Sequence, residues 1–352
     1  MFLLVRRLLT MPRRIGTALL LTLLVGVLPA ATVGCTGGGA PVPSSSPSAT
    51  GTPASDINPQ PRTTVADGGE LRLPVVDIGH QWNPLHTDSD ADVGLVMSSM
   101  LPRLFDYDAQ GNPSPNPDYL AAVNATGGNP QVVTYTLSPN ATWNNGRTMS
   151  ADDFIADWQA CNGQNVSFKC NATDRMSDVS SVKQGTGPDQ VVVTYKGSFS
   201  DWPKTFDFLL PKESVADPAT FNDGWTSLTK INDWLAGPFR VSDVSRDAGV
   251  LIETPNPDWW ADKAKLSQLT FRVIAPDDRL EALRNNQIDA FGVEDDGKVK
   301  DLDGLPNVEV RRADVPHGRT ERVAVRRTLA NYGAFGKQSI GWTDVGYLEP
   351  AG

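Results

Sequence analysis

The chain has 352 residues, 39% of them hydrophobic and nine of them Trp, which allows two or three domains with a sizeable core and excludes a disordered protein. Its formal net charge is −10. Removing residues 1–34 takes away four arginines and no acids, leaving 27 basic against 41 acidic residues and a charge of −14, which argues against nucleic acid as a partner.

Arg6, Arg7, Arg13 and Arg14 precede an apolar run from Ile15 to about Pro29. The run is too short, and too closely followed by small residues, for a membrane span, so residues 1–34 read as a secretory signal. A complete signal also begins at Met11, so translation starts at Met1 or at Met11. The signal ends in Val33, Gly34 and Cys35, which resembles the bacterial lipobox, although Thr32 stands where that pattern prefers Leu. The resemblance implies a diacylglycerol on the Cys35 thiol and anchoring to the outer face of the cytoplasmic membrane; cleavage and simple release is the alternative. Residues 35–67 are Gly, Pro, Ser, Thr and Ala with almost no large apolar side chain, and read as a disordered tether.

From Glu70, "LRLPVVDIG" predicts a first strand, followed by the polar loop "HQWNPLHTDSD". A helix is expected over Val93 to Leu104, with Val93, Val96, Met97, Met100 and Leu101 as its buried stripe. Two strands, "QVVTYTLSPNATW" and "QVVVTYKGSF", flank the helical "SADDFIADWQAC", in which Ser150 caps and Asp152 and Asp153 serve the helix start rather than catalysis. Cys161 and Cys170 are the other two cysteines, and in an exported chain a pair so close predicts a disulfide contributing roughly 2 to 3 kcal/mol. "WPKTFDFLLP" looks like a return to the first domain, and "AGPFRVSDVSRDAGVLIETPNPDWW" reads as a hairpin running into an aromatic corner. "LTFRVIAPDDRLEALRNNQIDAF" reads as strand, helix, strand, with Pro276 starting the helix and Asp277 and Asp278 at its positive end. "VEVRRADV" offers one more strand, and from Arg319 onward no element is long or clearly periodic.

Chemical motifs are absent. The histidines stand apart at positions 80, 86 and 317, so a metal site has little support. "DSDADVG" from Asp88 places Val93 and Ser99 where a calcium loop needs Gly and Glu, and "GAFGKQS" places Gln338 where a P-loop needs Ser or Thr. With no nucleophile elbow, zinc-protease motif or Cys–His pair, no catalytic residue, cofactor or metal is expected, and capture of a solute explains the chain better than turnover.

Several segments, in order, resemble the extracellular solute-binding proteins of family 5, the oligopeptide and dipeptide receptors of ABC importers. They are "WNPL", "LFDYDAQGNPSPNPDYLA", "TYTLSPNATWNNGRTMSADDFIADW", "GPFRV", "NPDWW" and the strand-helix-strand ending at Phe291, together covering about residues 70 to 292. The resemblance implies a mixed α/β (α+β) fold, a type II periplasmic-binding-protein-like clam-shell. Residues 68–104 and 210–292 would form lobe I and residues 105–209 an inserted β-rich subdomain; residues 293–352 would start a second lobe that is largely missing, through truncation or a frameshift. It further implies a peptide or other small solute between the lobes, ABC permease subunits as partners, a monomer, and no catalysis. The implied ligand contacts are Trp82, Asn83, Asp88, Ser89 and Asp90 on one loop, with Gly237 and Pro238 at the start of a nearby strand; for Trp82 an ordinary core aromatic is an equal alternative. An exported hydrolase with an unrecognised site and a cell-envelope interaction module are the rival readings.

Overall fold

The computed structural model describes residues 58, 60–107, 112–293, 296–302, 304–315, 319–330 and 342–349. Cys35, the signal, most of the tether, His317 and "GAFGKQS" lie outside them.

β1 (Glu70–Val75) leads through the Trp82 loop to α1 (Ala91–Met97). This helix is shorter than its apolar stripe predicts. The Ser98 and Ser99 hydroxyls turn back onto the Leu95 and Val96 carbonyls, at 2.6 and 3.0 Å, so Met100 and Leu101 are buried from a turn instead. β2 (Phe105–Tyr107) and β3 (Pro113–Pro115) form a short antiparallel ribbon.

β4 (Leu120–Thr126), β5 (Val132–Leu137), α2 (Ala151–Cys161), α3 (Thr173–Ser177), β6 (Val179–Gln184) and β7 (Gln190–Tyr195) follow, and the strands form an antiparallel sheet in the order β4-β5-β7-β6. Every second residue of β5 and β7 is buried. Tyr135 on that inner face meets Phe154 of α2 at 5.7 Å between ring centroids. Buried side chains of this size each contribute roughly 1.5–3 kcal/mol. Asp153 accepts the Ser150 backbone N–H at 3.0 Å and binds Arg147, while Asp152 pairs with Lys212 at 2.8 Å, so both acids serve structure. Cys161 and Cys170 form a disulfide, which ties the end of α2 to the segment preceding α3.

α4 (Pro218–Asp223) precedes β8 (Phe239–Ser245), β9 (Val250–Pro255) and β10 (Gln268–Val273), which join β1 in what is the first sheet of the fold. Its order is β1-β10-β9-β8, with β1 parallel to β10 and the other pairs antiparallel. After β9 the chain turns through Trp259 and Trp260, whose rings lie 4.4 Å apart against Tyr119.

α5 (Arg279–Arg284), β11 (Ala290–Gly292), α6 (Asp296–Leu302), β12 (Val308–Val315) and β13 (Arg319–Arg326) build a smaller unit with sheet order β11-β13-β12. β13 was not expected from the sequence. It is the central strand, with Ala324 in the small core around Leu283, Ile288 and Phe291 and with Val323 and Val325 in the main core. Burial on both faces removes the simple alternation that marks a half-buried strand.

β14 (Leu329–Ala330) pairs with β15 (Gly346–Tyr347). Residues 342–349, expected with the second lobe, instead pack beside the first sheet: the Tyr347 hydroxyl donates to the Glu70 carbonyl at 2.6 Å and the Trp342 indole to Ser98 Oγ at 3.1 Å. Residues 60–67, expected in the tether, join them. Val65 is buried and bridges Leu348, and Arg62 pairs with Asp344 at 2.6 Å, because this stretch has a partner that its composition does not reveal.

Asp289 links the two units. Its buried carboxylate accepts from Arg72 Nε and Nη2 at 2.9 and 2.8 Å, from the Arg72 backbone N–H at 2.8 Å and from Arg326 Nε at 2.9 Å. Asp289→Ala strands two cations, and the expected loss is about 3 kcal/mol, the lower end for a buried network because both guanidiniums keep some solvent contact. Urea denaturation checks this; a loss under about 1 kcal/mol would contradict the role assigned to Asp289.

Candidate functional site

A cavity of about 510 Å³ opens where the end of β1, the first turns of α1, Tyr107 with the segment 204–208, and the α5–β11 segment meet. Asp92, on the first turn of α1, accepts the Val76 N–H at 2.5 Å and reaches the Asp77 N–H at 3.4 Å, holding the chain as it leaves β1. Burial raises the Asp92 carboxyl above its ordinary range despite these hydrogen bonds. Ser98, also in the wall, is fixed between the Leu95 carbonyl and the Trp342 indole.

Across the cavity, the Arg103 guanidinium lies 6.0 Å from the Phe208 ring centroid and 3.9 Å from Asp207. Lys204 pairs with Asp201 at 3.2 Å, and Arg279 and Gly292 close the side toward the smaller unit. Pro74, Ala91 and Leu95 supply apolar surface. Such a mixture of apolar wall and a few convergent polar groups is what a small-molecule or peptide pocket requires.

Behind this wall stands Glu253, in the middle of β9. Its side chain is fully buried, its Oε2 lies 2.5 Å from Ser99 Oγ and its Oε1 has no hydrogen-bond partner among the described residues, and burial raises its pKa to about 8.

The residues expected to touch ligand divide by burial. Trp82 and Asn83 lie inside the fold: the Trp82 N–H donates to the Trp225 carbonyl at 3.0 Å, and the Asn83 amide donates to the Phe221 carbonyl at 3.0 Å while its oxygen accepts from Leu85 N–H at 2.9 Å. The structure therefore favours the core reading of Trp82. Gly237 and Pro238 are also buried, and a Cβ on Gly237 would collide with the Ser99 carbonyl, so glycine here serves close packing. Asp88 and Asp90 are exposed and Ser89 is half-buried. Asp90 caps α1 through Val93 N–H at 2.9 Å, and Asp88 donates its N–H to His86 Nδ1 at 3.0 Å. None of these seven lines the cavity. The wall groups Asp92, Arg103, Lys204 and Arg279 were missed. Only the acidic run around Asp92 drew notice in the sequence, because nothing local announces that the others converge.

Among the described residues, no group of three or more His, Cys, Asp or Glu could hold a metal, and no helix is long and apolar enough to cross a membrane.

Residues 117–332 match the family model described as bacterial extracellular solute-binding proteins, family 5, middle region. The oligopeptide-binding protein OppA of Mycobacterium tuberculosis is 34% identical over 266 residues, 74% of this chain and 44% of that one. An uncharacterized lipoprotein of Mycobacterium leprae is 22% identical over 252 residues, 60% of this chain and 44% of that one. Among solved structures, the periplasmic EDTA-binding protein EppA superposes with a TM-score of 0.66 at 24% identity, covering 75% of this chain and 51% of its own. The fold is thus of the type II periplasmic-binding-protein-like class, and the chain spans less than half the length of the curated relatives it matches.

The buried acid behind the wall gives a pH test. Between the ordinary carboxyl value of 4.5 and about 8 the unfolded chain releases the Glu253 proton while the folded chain keeps it. Stability therefore falls as pH rises through that window, by an amount on the order of a few kcal/mol, and the loss is complete near pH 8. Glu253→Gln should flatten this slope in urea titrations at several pH values; an unchanged slope would mean that other groups carry it.

Proposed function

The chain belongs to the bacterial extracellular solute-binding proteins of family 5, and on that premise we propose that it captures peptides outside the cytoplasmic membrane for delivery to the permease of an ABC importer. The observation that carries this reading is the cavity at the end of β1, bounded by the first sheet, the inserted subdomain and the α5–β11 segment. In this reading residues 68–104 and 210–292 are lobe I, residues 105–209 are its insert, and the β11-β13-β12 sheet begins the crossover toward an opposing lobe. The OppA relative, named for oligopeptide binding, supports a peptide as ligand. In this reading the protein acts as a monomer without catalysis of its own.

We also propose that Cys35 carries the lipid anchor, a reading supported by the lipoprotein relative. Membrane partitioning of a Cys35→Ala form tests it, and unchanged partitioning would rule it out.

A ligand that prefers the folded state stabilises it by mass action. A thermal melt of the purified protein with a mixed pool of tri- to hexapeptides should therefore shift upward, by several degrees once peptide reaches about 100 times its dissociation constant. A sharp transition that no peptide moves would overturn the peptide reading, and turnover of a peptide abolished by one point mutation would favour a hydrolase.

A further inference from the structure

The arginines of this fold are used in two different ways. Arg72, Arg147 and Arg326 are locked by hydrogen bonds to buried carboxylates, Asp289 for the first and last and Asp153 for Arg147. Arg103 and Arg279, both in the cavity wall, each bury an Nε that has no hydrogen-bond partner among the described residues. Arg103 has only Asp207 at 3.9 Å, beyond hydrogen-bond reach, and the face of Phe208, which aligns the guanidinium without neutralising it. The acid near Arg279 is Asp92, whose carboxylate is already engaged by the Val76 and Asp77 N–H groups. Lys204 adds a third cation, shared with Asp201 at the rim.

The cavity wall therefore holds two guanidiniums that no carboxylate engages by a hydrogen bond, beside a lysine already paired with Asp201, within a chain whose formal net charge is −10. A guanidinium whose N–H groups are not fully engaged in a partly desolvated wall is a strong site for a planar carboxylate, which it can bind bidentately. We infer that the cavity selects peptides bearing an acidic side chain, which is received on the wall formed by Arg103, Lys204 and Arg279. This rests on the peptide reading above and narrows it to a substrate class. The same wall disfavours a lysine side chain, so it sets specificity by repulsion as well as by attraction.

Titration calorimetry of the full chain with Ala-Ala-Glu-Ala-Ala, Ala-Ala-Gln-Ala-Ala and Ala-Ala-Lys-Ala-Ala tests this, since the three peptides share termini and length. The glutamate peptide should bind about tenfold or more tightly than the glutamine peptide, with the lysine peptide weakest, and the ratio should shrink as salt is raised. The double substitution Arg103→Gln with Arg279→Gln, confirmed as folded by its melt, should bring the glutamate-to-glutamine ratio to within about twofold. Equal affinity of the wild-type protein for glutamate and glutamine peptides, or preference for lysine, overturns the inference and leaves peptide capture standing. Binding of none of the three overturns both.

Discussion

One buried carboxylate fixes where the candidate site can exist. Asp289 sits between β1, the edge of the first sheet, and β13, the centre of the smaller one, and it is satisfied from both sides by Arg72 and Arg326. Burying a charge is costly unless it is paired and its lone pairs are filled, and here two guanidiniums and a backbone N–H do so. The same contact places β11 beside β1, so Gly292 and Arg279 stand opposite Asp92 and the cavity gains its side wall. Without that link β1 would end in solvent with one wall only.

The first sheet is completed by segments distant in sequence. Residues 60–67 and 342–349 meet beside β1 and β10, where Arg62 reaches Asp344 and the Lys263 carbonyl and where Tyr347 reaches Glu70. Trp342 in turn steadies Ser98 in the cavity wall. Packing away from the cavity thus helps to hold part of its wall.

Much of the fold is legible in the sequence, and the exceptions have physical reasons. β5 and β7 alternate because one face is buried and one wet, and α2 announces itself through Ser150 and the acids after it. The Cys161–Cys170 bridge follows from spacing and export. β13 was missed because both its faces are covered, and the end of α1 because two serine hydroxyls compete for its last carbonyls. The site was the least legible part. Trp82 and Asn83 sit in a recognisable motif, yet the motif shapes a buried loop, whereas Arg103, Lys204 and Arg279 carry no local signature and converge only through the tertiary fold. Sequence resemblance identified the family without pointing to the groups that line this cavity.

In the proposed function, ligand enters the cavity beside α1 rather than binding the Trp82 loop. Hydrogen exchange of the purified protein with and without a peptide pool tests that location directly, because amides respond where ligand sits or orders the chain. Slowed exchange is expected in residues 91–98, 103–107 and 204–208, with residues 82–87 unchanged. Protection centred on residues 82–90, or in no described segment, would contradict it.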